Sequence, residues 1–270
     1  MKKQVQLKNG TRISYQEAGS SDAPIVLLHG FCGSSDYWHR VLPLLSASHR
    51  VIAVDLPGHG ESSAPGPDET YSIELFAENL HAWAQEIRLD RFHLFGHSLG
   101  GYITLAFAEQ YADMLKSFGL IHSTPFPDDE AARQNRDKGA ESIQSNGIEP
   151  FIKALVPKLF APNHVQTMRE QLALAKEIGH GTDPNGAILT LRAMRDRKDR
   201  LHVLQETALP VLLVAGKEDQ VIPPEKTFVV QKTQIQQVLL PSAGHMGMLE
   251  VPEELAEAIK TFLDQLSNPN

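Results

Sequence analysis

The chain has 270 residues, a formal charge of −8 and 41% hydrophobic residues, enough apolar material to bury a substantial core. A net negative charge argues against a nucleic-acid partner, because such binders concentrate Lys and Arg on one face. Its single cysteine, Cys32, excludes an intrachain disulfide and a cysteine-held structural zinc.

Met1-Lys2-Lys3 runs directly into the alternating Val5 and Leu7, with no apolar stretch of signal-peptide length behind the lysines. A cytoplasmic protein is expected. No apolar run reaches the roughly 20 residues of a spanning helix, so no membrane partner is expected either. Residues 4–8 and 11–17, split by Asn9-Gly10, read as a β-hairpin. The apolar runs Pro24 to Leu28, Arg50 to Asp55 and Phe92 to Phe95 read as buried parallel strands. Between the last two, Ile73, Phe76, Leu80, Trp83 and Ile87 recur at helical spacing and form one apolar face. A helix starting near Ser98 follows, then runs at Phe118 to Ile121, Val211 to Ala215 and Gln237 to Leu240. The closing helix begins at Val251-Pro252 and carries Leu255, Ile259, Phe262 and Leu266 on one stripe, and the tail from Ser267 to Asn270 is expected to fray. Strand and helix alternate throughout, which predicts an α/β fold with a mostly parallel sheet.

One stretch breaks that alternation. From about Pro125 to Leu209 the pattern is helical, punctuated by Pro150, Pro157, Pro162, Gly181 and Pro184, and reads as a helical insertion at the strand ends. The expected organisation is a core of residues 1–124 and 210–270 with a helical cap at 125–209.

Gly96-His97-Ser98-Leu99-Gly100 carries the strongest chemical signal, because it lies between a strand and an apolar helix. A sharp strand-to-helix turn exposes the Ser98 hydroxyl and needs small residues on either side. Alone, the pattern also fits a helix N-cap. The loop His29-Gly30-Phe31-Cys32-Gly33 follows the first parallel strand, where the Phe31 N–H can pair with that of Leu99 to hold an oxyanion. It lacks the Gly-Lys-Ser/Thr ending of a P-loop. A serine nucleophile needs a base and a carboxylate that fixes the base's tautomer. His245 lies just past the last predicted strand, and Asp219, with Glu218 as its competitor, lies past the strand before it. Both positions fall at the same sheet edge as Ser98. His97 reads as a packing residue, His29 as a brace for the oxyanion loop, and Asp128-Asp129-Glu130 as a helix start.

Five blocks resemble the α/β-hydrolase superfamily and together span nearly the whole chain. They are His29-Gly30-Phe31, Asp55-Leu56-Pro57-Gly58-His59-Gly60-Glu61-Ser62, the Ser98 elbow, Gly216-Lys217-Glu218-Asp219 and Ala243-Gly244-His245. The resemblance implies the α/β-hydrolase fold: a mostly parallel eight-stranded sheet flanked by helices, with a helical cap insertion. It also implies a Ser98, Asp219, His245 triad, oxyanion donors at Phe31 and Leu99, and no cofactor or metal; the shorter Asp219 fits its pattern better than Glu218. Dehalogenases and epoxide hydrolases of this superfamily place aspartate where Ser98 stands, and the latter usually use cap tyrosines, which residues 125–209 lack. Carbon–carbon bond hydrolases commonly carry asparagine where His97 stands, and the similar menaquinone-pathway synthase commonly carries arginine near Tyr102. The expected activity is that of a serine carboxylesterase acting on a small-molecule ester of small to medium acyl chain. A slow-turnover ligand receptor, an acyltransferase or perhydrolase and a carbon–carbon bond hydrolase stand as alternatives. Arg192, Arg195 and Arg197 are candidates for binding an anionic substrate or, more simply, members of a solvated helix face.

Overall fold

The computed structural model describes residues 2–20, 23–66 and 69–267. Strands β1 (Lys3–Gln6) and β2 (Arg12–Ala18) pair antiparallel with Gln6 opposite Arg12, so the reversal is wider than a two-residue Asn9-Gly10 turn. Leu7 buries its side chain and donates its N–H across the hairpin to Thr11 O at 2.8 Å, which leaves residues 8–10 as the loop. Gly10, at φ +93°, closes the turn by donating its N–H to Leu7 O.

The apolar runs form β3 (Ile25–Leu28), β4 (Val51–Val54), β5 (Phe92–His97), β6 (Leu115–Ile121), β7 (Val211–Gly216) and β8 (Ile235–Leu240). One eight-stranded sheet results, in the order β1-β2-β4-β3-β5-β6-β7-β8. β2 runs antiparallel to β4, and every pairing from β4 to β8 is parallel. Every residue of β3, β4, β5 and β7 is buried, as expected of strands covered on both faces, whereas β1 and β8 at the edges are partly exposed.

Helices α1 (Val41–Ser46), α2 (Ile73–Glu86) and α3 (Leu99–Gln110) connect the strands, and an insertion then opens with α4 (Glu130–Asn146), α5 (Ile148–Leu159) and α6 (His164–Thr167). The insertion continues through α7 (Arg169–His180) and α8 (Pro184–Arg195), and α9 (Leu201–Glu206) leads back to β7. The chain closes with α10 (Pro224–Thr227), α11 (Gly247–Glu250) and α12 (Pro252–Ser267). Phe92 and Phe95 point to opposite faces of β5, because side chains alternate along a strand. Phe92 meets Phe107 of α3 with ring centroids 5.6 Å apart, and Phe95 meets Phe262 of α12 at 6.1 Å, so these two helices cover opposite faces. Helix α2 buries Ile73, Phe76, Leu80 and Trp83 along the predicted stripe, while Ile87 sits at its C-cap and is only partly buried.

Within the insertion, α4 packs against α8 and α5 against α7. Two of the prolines read as punctuation lie inside α5: Pro150 in its first turn, where no N–H partner is lost, and Pro157 near its end. Ser267 is the last residue of α12, and the rest of the predicted frayed tail lies outside the described residues. Among the described residues no helix is long and apolar enough to cross a membrane.

Candidate active site

Parallel strands deliver their C-terminal ends to one edge of the sheet, and the chemically capable residues gather there. Ser98 follows β5 directly, His122 follows β6, Asp219 stands three residues beyond β7 and His245 five beyond β8. Ser98 adopts φ 50° and ψ −112°, a conformation that L-residues rarely hold and that costs of order 1–3 kcal/mol. Its tight turn explains the flanking glycines. A Cβ on Gly96 would lie 2.1 Å from Gly100 O, and one on Gly100 would lie 2.7 Å from Leu28 O.

The hydroxyl Ser98 Oγ is 2.9 Å from His245 Nε2, and His245 Nδ1 is 2.8 Å from Asp219 Oδ2. With Nδ1 carrying the proton toward Asp219, Nε2 is free to accept from Ser98. The other Asp219 oxygen accepts the N–H groups of Val221 and Ile222 at 2.8 and 2.9 Å. Burial alone would raise the Asp219 pKa, but His245 and His122 outweigh it and hold this carboxyl well below its ordinary range. Asp219 is therefore an anion at neutral pH. Glu218, its competitor in the sequence, is exposed.

Among the described residues, the backbone N–H groups of Phe31, which lines the Ser98 cavity, and of Leu99, which follows Ser98 in the chain, engage no protein acceptor. Leu99 is the first residue of α3, so its N–H is one of the donors a helix leaves free. Phe31 belongs to a turn closed by Gly33 N–H to Gly30 O, with Cys32 at φ 54°. His29 anchors that turn: its Nε2 accepts the Leu56 N–H at 3.0 Å and its Nδ1 donates to Gly30 O at 2.7 Å. The Asp55 block thus supports the site from one strand away. Cys32 is buried, and burial pushes its thiol pKa up.

Residues 23–252 match the model of the alpha/beta hydrolase fold family. This chain belongs to that family. It is 29% identical to Lipase 1 of Psychrobacter immobilis over 96% of this chain and 83% of the lipase. It is 25% identical to a 2-hydroxy-6-oxo-6-(2'-aminophenyl)hexa-2,4-dienoic acid hydrolase of Metapseudomonas resinovorans, over 95% of this chain and 89% of that one. Among solved structures, a thermophilic esterase from Thermogutta terrifontis superposes with a TM-score of 0.92 at 26% identity, covering 99% of this chain and 100% of the esterase.

Around this α/β-hydrolase centre lie three residues that the sequence reading passed over. His122 is fully buried at φ 48°, with Nδ1 3.5 Å from Asp219 Oδ2, a loose polar contact. Glu250 is buried, and its Oε1 accepts from both Gly244 N–H and Met246 N–H at 3.0 Å, the groups on either side of His245. The Oε2 of the same carboxylate takes Ala161 N–H at 2.8 Å and His164 Nδ1 at 2.7 Å, which ties the link between α5 and α6 to the histidine loop. Position was the available signal for His122, which directly follows a predicted strand; Glu250 and His164 depend on contacts 86 residues apart in the chain and left no local mark. His97 does more than pack. Its Nε2 donates to His245 O at 2.8 Å, and burial, reinforced by the neighbouring histidines, holds its pKa well below the ordinary value.

The cavity at Ser98 is about 60 Å³, lined by Phe31, Tyr102, Leu155, Leu159, Met194 and Met246 among others. Of the cap arginines singled out in the sequence, Arg195 pairs with Asp137 and Asp196, and Arg197 is buried against Asp128. Among the described residues no group of three or more His, Cys, Asp or Glu is placed to hold a metal ion.

Proposed function

We propose that the chain hydrolyses carboxylic esters of small to medium acyl chain through an acyl-enzyme on Ser98. The observation that carries this reading is the continuous pair of hydrogen bonds from Ser98 Oγ through His245 to Asp219, at 2.9 and 2.8 Å. In the first step Ser98 Oγ attacks the ester carbonyl carbon while its proton passes to His245 Nε2. The carbonyl oxygen becomes an oxyanion and accepts from the N–H groups of Phe31 and Leu99, each such donor being worth about 3–4 kcal/mol in the transition state. The intermediate then collapses, the bond to the alcohol oxygen breaks, and His245 returns the proton to the leaving alcohol. Water repeats the sequence on the acyl-enzyme, giving its proton to His245 and releasing the acid as Ser98 is reprotonated. Asp219 remains ionised throughout and stabilises the imidazolium that forms twice per turnover.

Residues 125–209 act in this reading as the cap. Phe151 of α5 packs its ring edge-on to Phe31 at 6.0 Å, and Leu155 and Met194 bring the insertion to the wall of the Ser98 cavity. Leu155, Leu159, Met194 and Met246 give the Ser98 cavity an apolar wall suited to an acyl group. Both the lipase and esterase relatives are consistent with ester chemistry. The test is steady-state turnover of p-nitrophenyl esters of increasing acyl length by wild type and Ser98→Ala. Multiple turnovers on short esters, lost in the variant, are expected; equal activity in the variant overturns the reading.

A further inference from the structure

The Ser98 cavity is apolar apart from its histidines and hydroxyls, with one exception: Arg136 of α4 reaches its wall. A second cavity, of about 280 Å³, adjoins the first and shares Tyr102, Arg136 and Val221 with it. The space around the nucleophile is therefore two-chambered, with Arg136 in the common wall.

Arg136 spends little of its hydrogen-bonding capacity on the protein. Its Nε donates to Asp128 Oδ2 at 3.0 Å, and among the described residues its two terminal amino groups have no acceptor. Asp128 is already neutralised from the other side, where Arg197 Nη1 lies 2.5 Å from Oδ1 and both side chains are 5% exposed. Arg197 is fixed there by Phe126 O at 3.0 Å, Met194 O at 2.8 Å and the face of Tyr102 at 4.2 Å. The buried pair is complete without Arg136, whose charge is left over. Asp129 and Lys226 also line the outer chamber, so its charged groups are three cations and two carboxylates. Asp129 is occupied as the cap of α4, with Oδ1 accepting the Ala132 N–H at 2.8 Å. A guanidinium with two free amino groups matches a carboxylate in a paired, coplanar geometry.

We propose that Arg136 forms an anion-binding subsite in the outer chamber that selects esters carrying a second, ionised carboxylate. This rests on the reading of the site as an ester hydrolase and names its substrate class. The surplus charge supplies the attraction, the apolar inner chamber takes the reacting carbonyl, and the outer chamber holds the charged end.

The experiment compares esters whose charged and neutral forms have the same shape. Monoethyl succinate is set against ethyl 4-methylpentanoate for a carboxylate in the acyl part, and acetoxyacetate against isobutyl acetate for one in the alcohol part. Wild type is expected to prefer the charged member of at least one pair, with a kcat/KM ratio that falls as salt is raised. In Arg136→Gln that ratio should drop about tenfold or more, through KM, and Arg136→Lys should restore part of it. A ratio that is unchanged in Arg136→Gln and insensitive to salt overturns the subsite while the neutral esters, still turned over, leave the esterase reading standing. If no ester of either pair is hydrolysed, the esterase reading fails and the subsite with it.

Discussion

Glu250 holds His245 from both sides, accepting the N–H groups of Gly244 and Met246 with one carboxylate oxygen. His245 is further fixed by its own N–H, donated to Leu159 O at 2.8 Å, and by its carbonyl, which accepts from His97. Such a clamp sets the position of Nε2 against Ser98, and misplacement by about 1 Å can cost 10²-fold in rate. On the proposed mechanism, Glu250 is a positioning residue.

Glu250→Gln keeps one acceptor oxygen and should lower kcat about tenfold with KM little changed. Glu250→Ala orphans several buried donors and should also cost about 3 kcal/mol or more of stability. Kinetics well below the melting temperature, with thermal melts of both variants, check this. Folded variants that keep wild-type kcat would show the clamp to be irrelevant to the chemistry.

Asp219→Asn should leave the fold in place and reduce kcat by about 10³- to 10⁴-fold, because the amide no longer fixes the His245 tautomer or stabilises its imidazolium. Single-turnover rates on a p-nitrophenyl ester measure it. A loss under tenfold would mean that the carboxylate beside His245 is not the orienting group.

Acid sensitivity follows from the buried histidines. Burial pushes His93 down to about 4 and His59 down to about 3 from an ordinary value of 6.5. The unfolded chain therefore binds more protons than the folded one below pH 6.5, so stability is full above that pH and is lost as pH falls toward the folded values. Each such histidine adds a slope of up to about 1.4 kcal/mol per pH unit. In His93→Gln, denaturant midpoints between pH 6.5 and 4.5 should fall less steeply than in wild type; an identical slope would mean His93 is protonated in the folded state.

Acyl-length preference is expected to follow the inner chamber. Leu155→Ala removes part of its wall and should raise the ratio of octanoate to butyrate hydrolysis by about tenfold, since one methylene in such a pocket is worth about 1–3 kcal/mol. Unchanged length preference would place the acyl chain elsewhere.

Much of the fold was legible because buried parallel strands write themselves as continuous apolar runs, such as Ile25–Leu28 and Val211–Gly216. The Ser98 turn was legible for a local reason too, as only glycine fits at positions 96 and 100. The hairpin about Asn9-Gly10 was legible from its turn residues, but its strand ends were not: the strands run Lys3–Gln6 and Arg12–Ala18 rather than 4–8 and 11–17. Glu250, His164 and the Asp128–Arg197 pair were hidden for the opposite reason. Their meaning lies in partners brought close only by the fold, and nothing in the local sequence marks Glu250 as buried. The cap arginines illustrate the same limit: Arg197 is spent on Asp128, while Arg136, unremarked in the sequence, faces the cavity.

The most direct test of the central claim is covalent labelling of Ser98. The protein would be treated with a fluorophosphonate and digested, and the modified peptide mapped by mass spectrometry in wild type, Ser98→Ala and His245→Ala. One phosphonyl group per chain on Ser98, absent in Ser98→Ala and much slower to form in His245→Ala, is the expected result. Labelling at another residue, or none in a wild type that still turns over esters, would contradict an acyl-enzyme on Ser98.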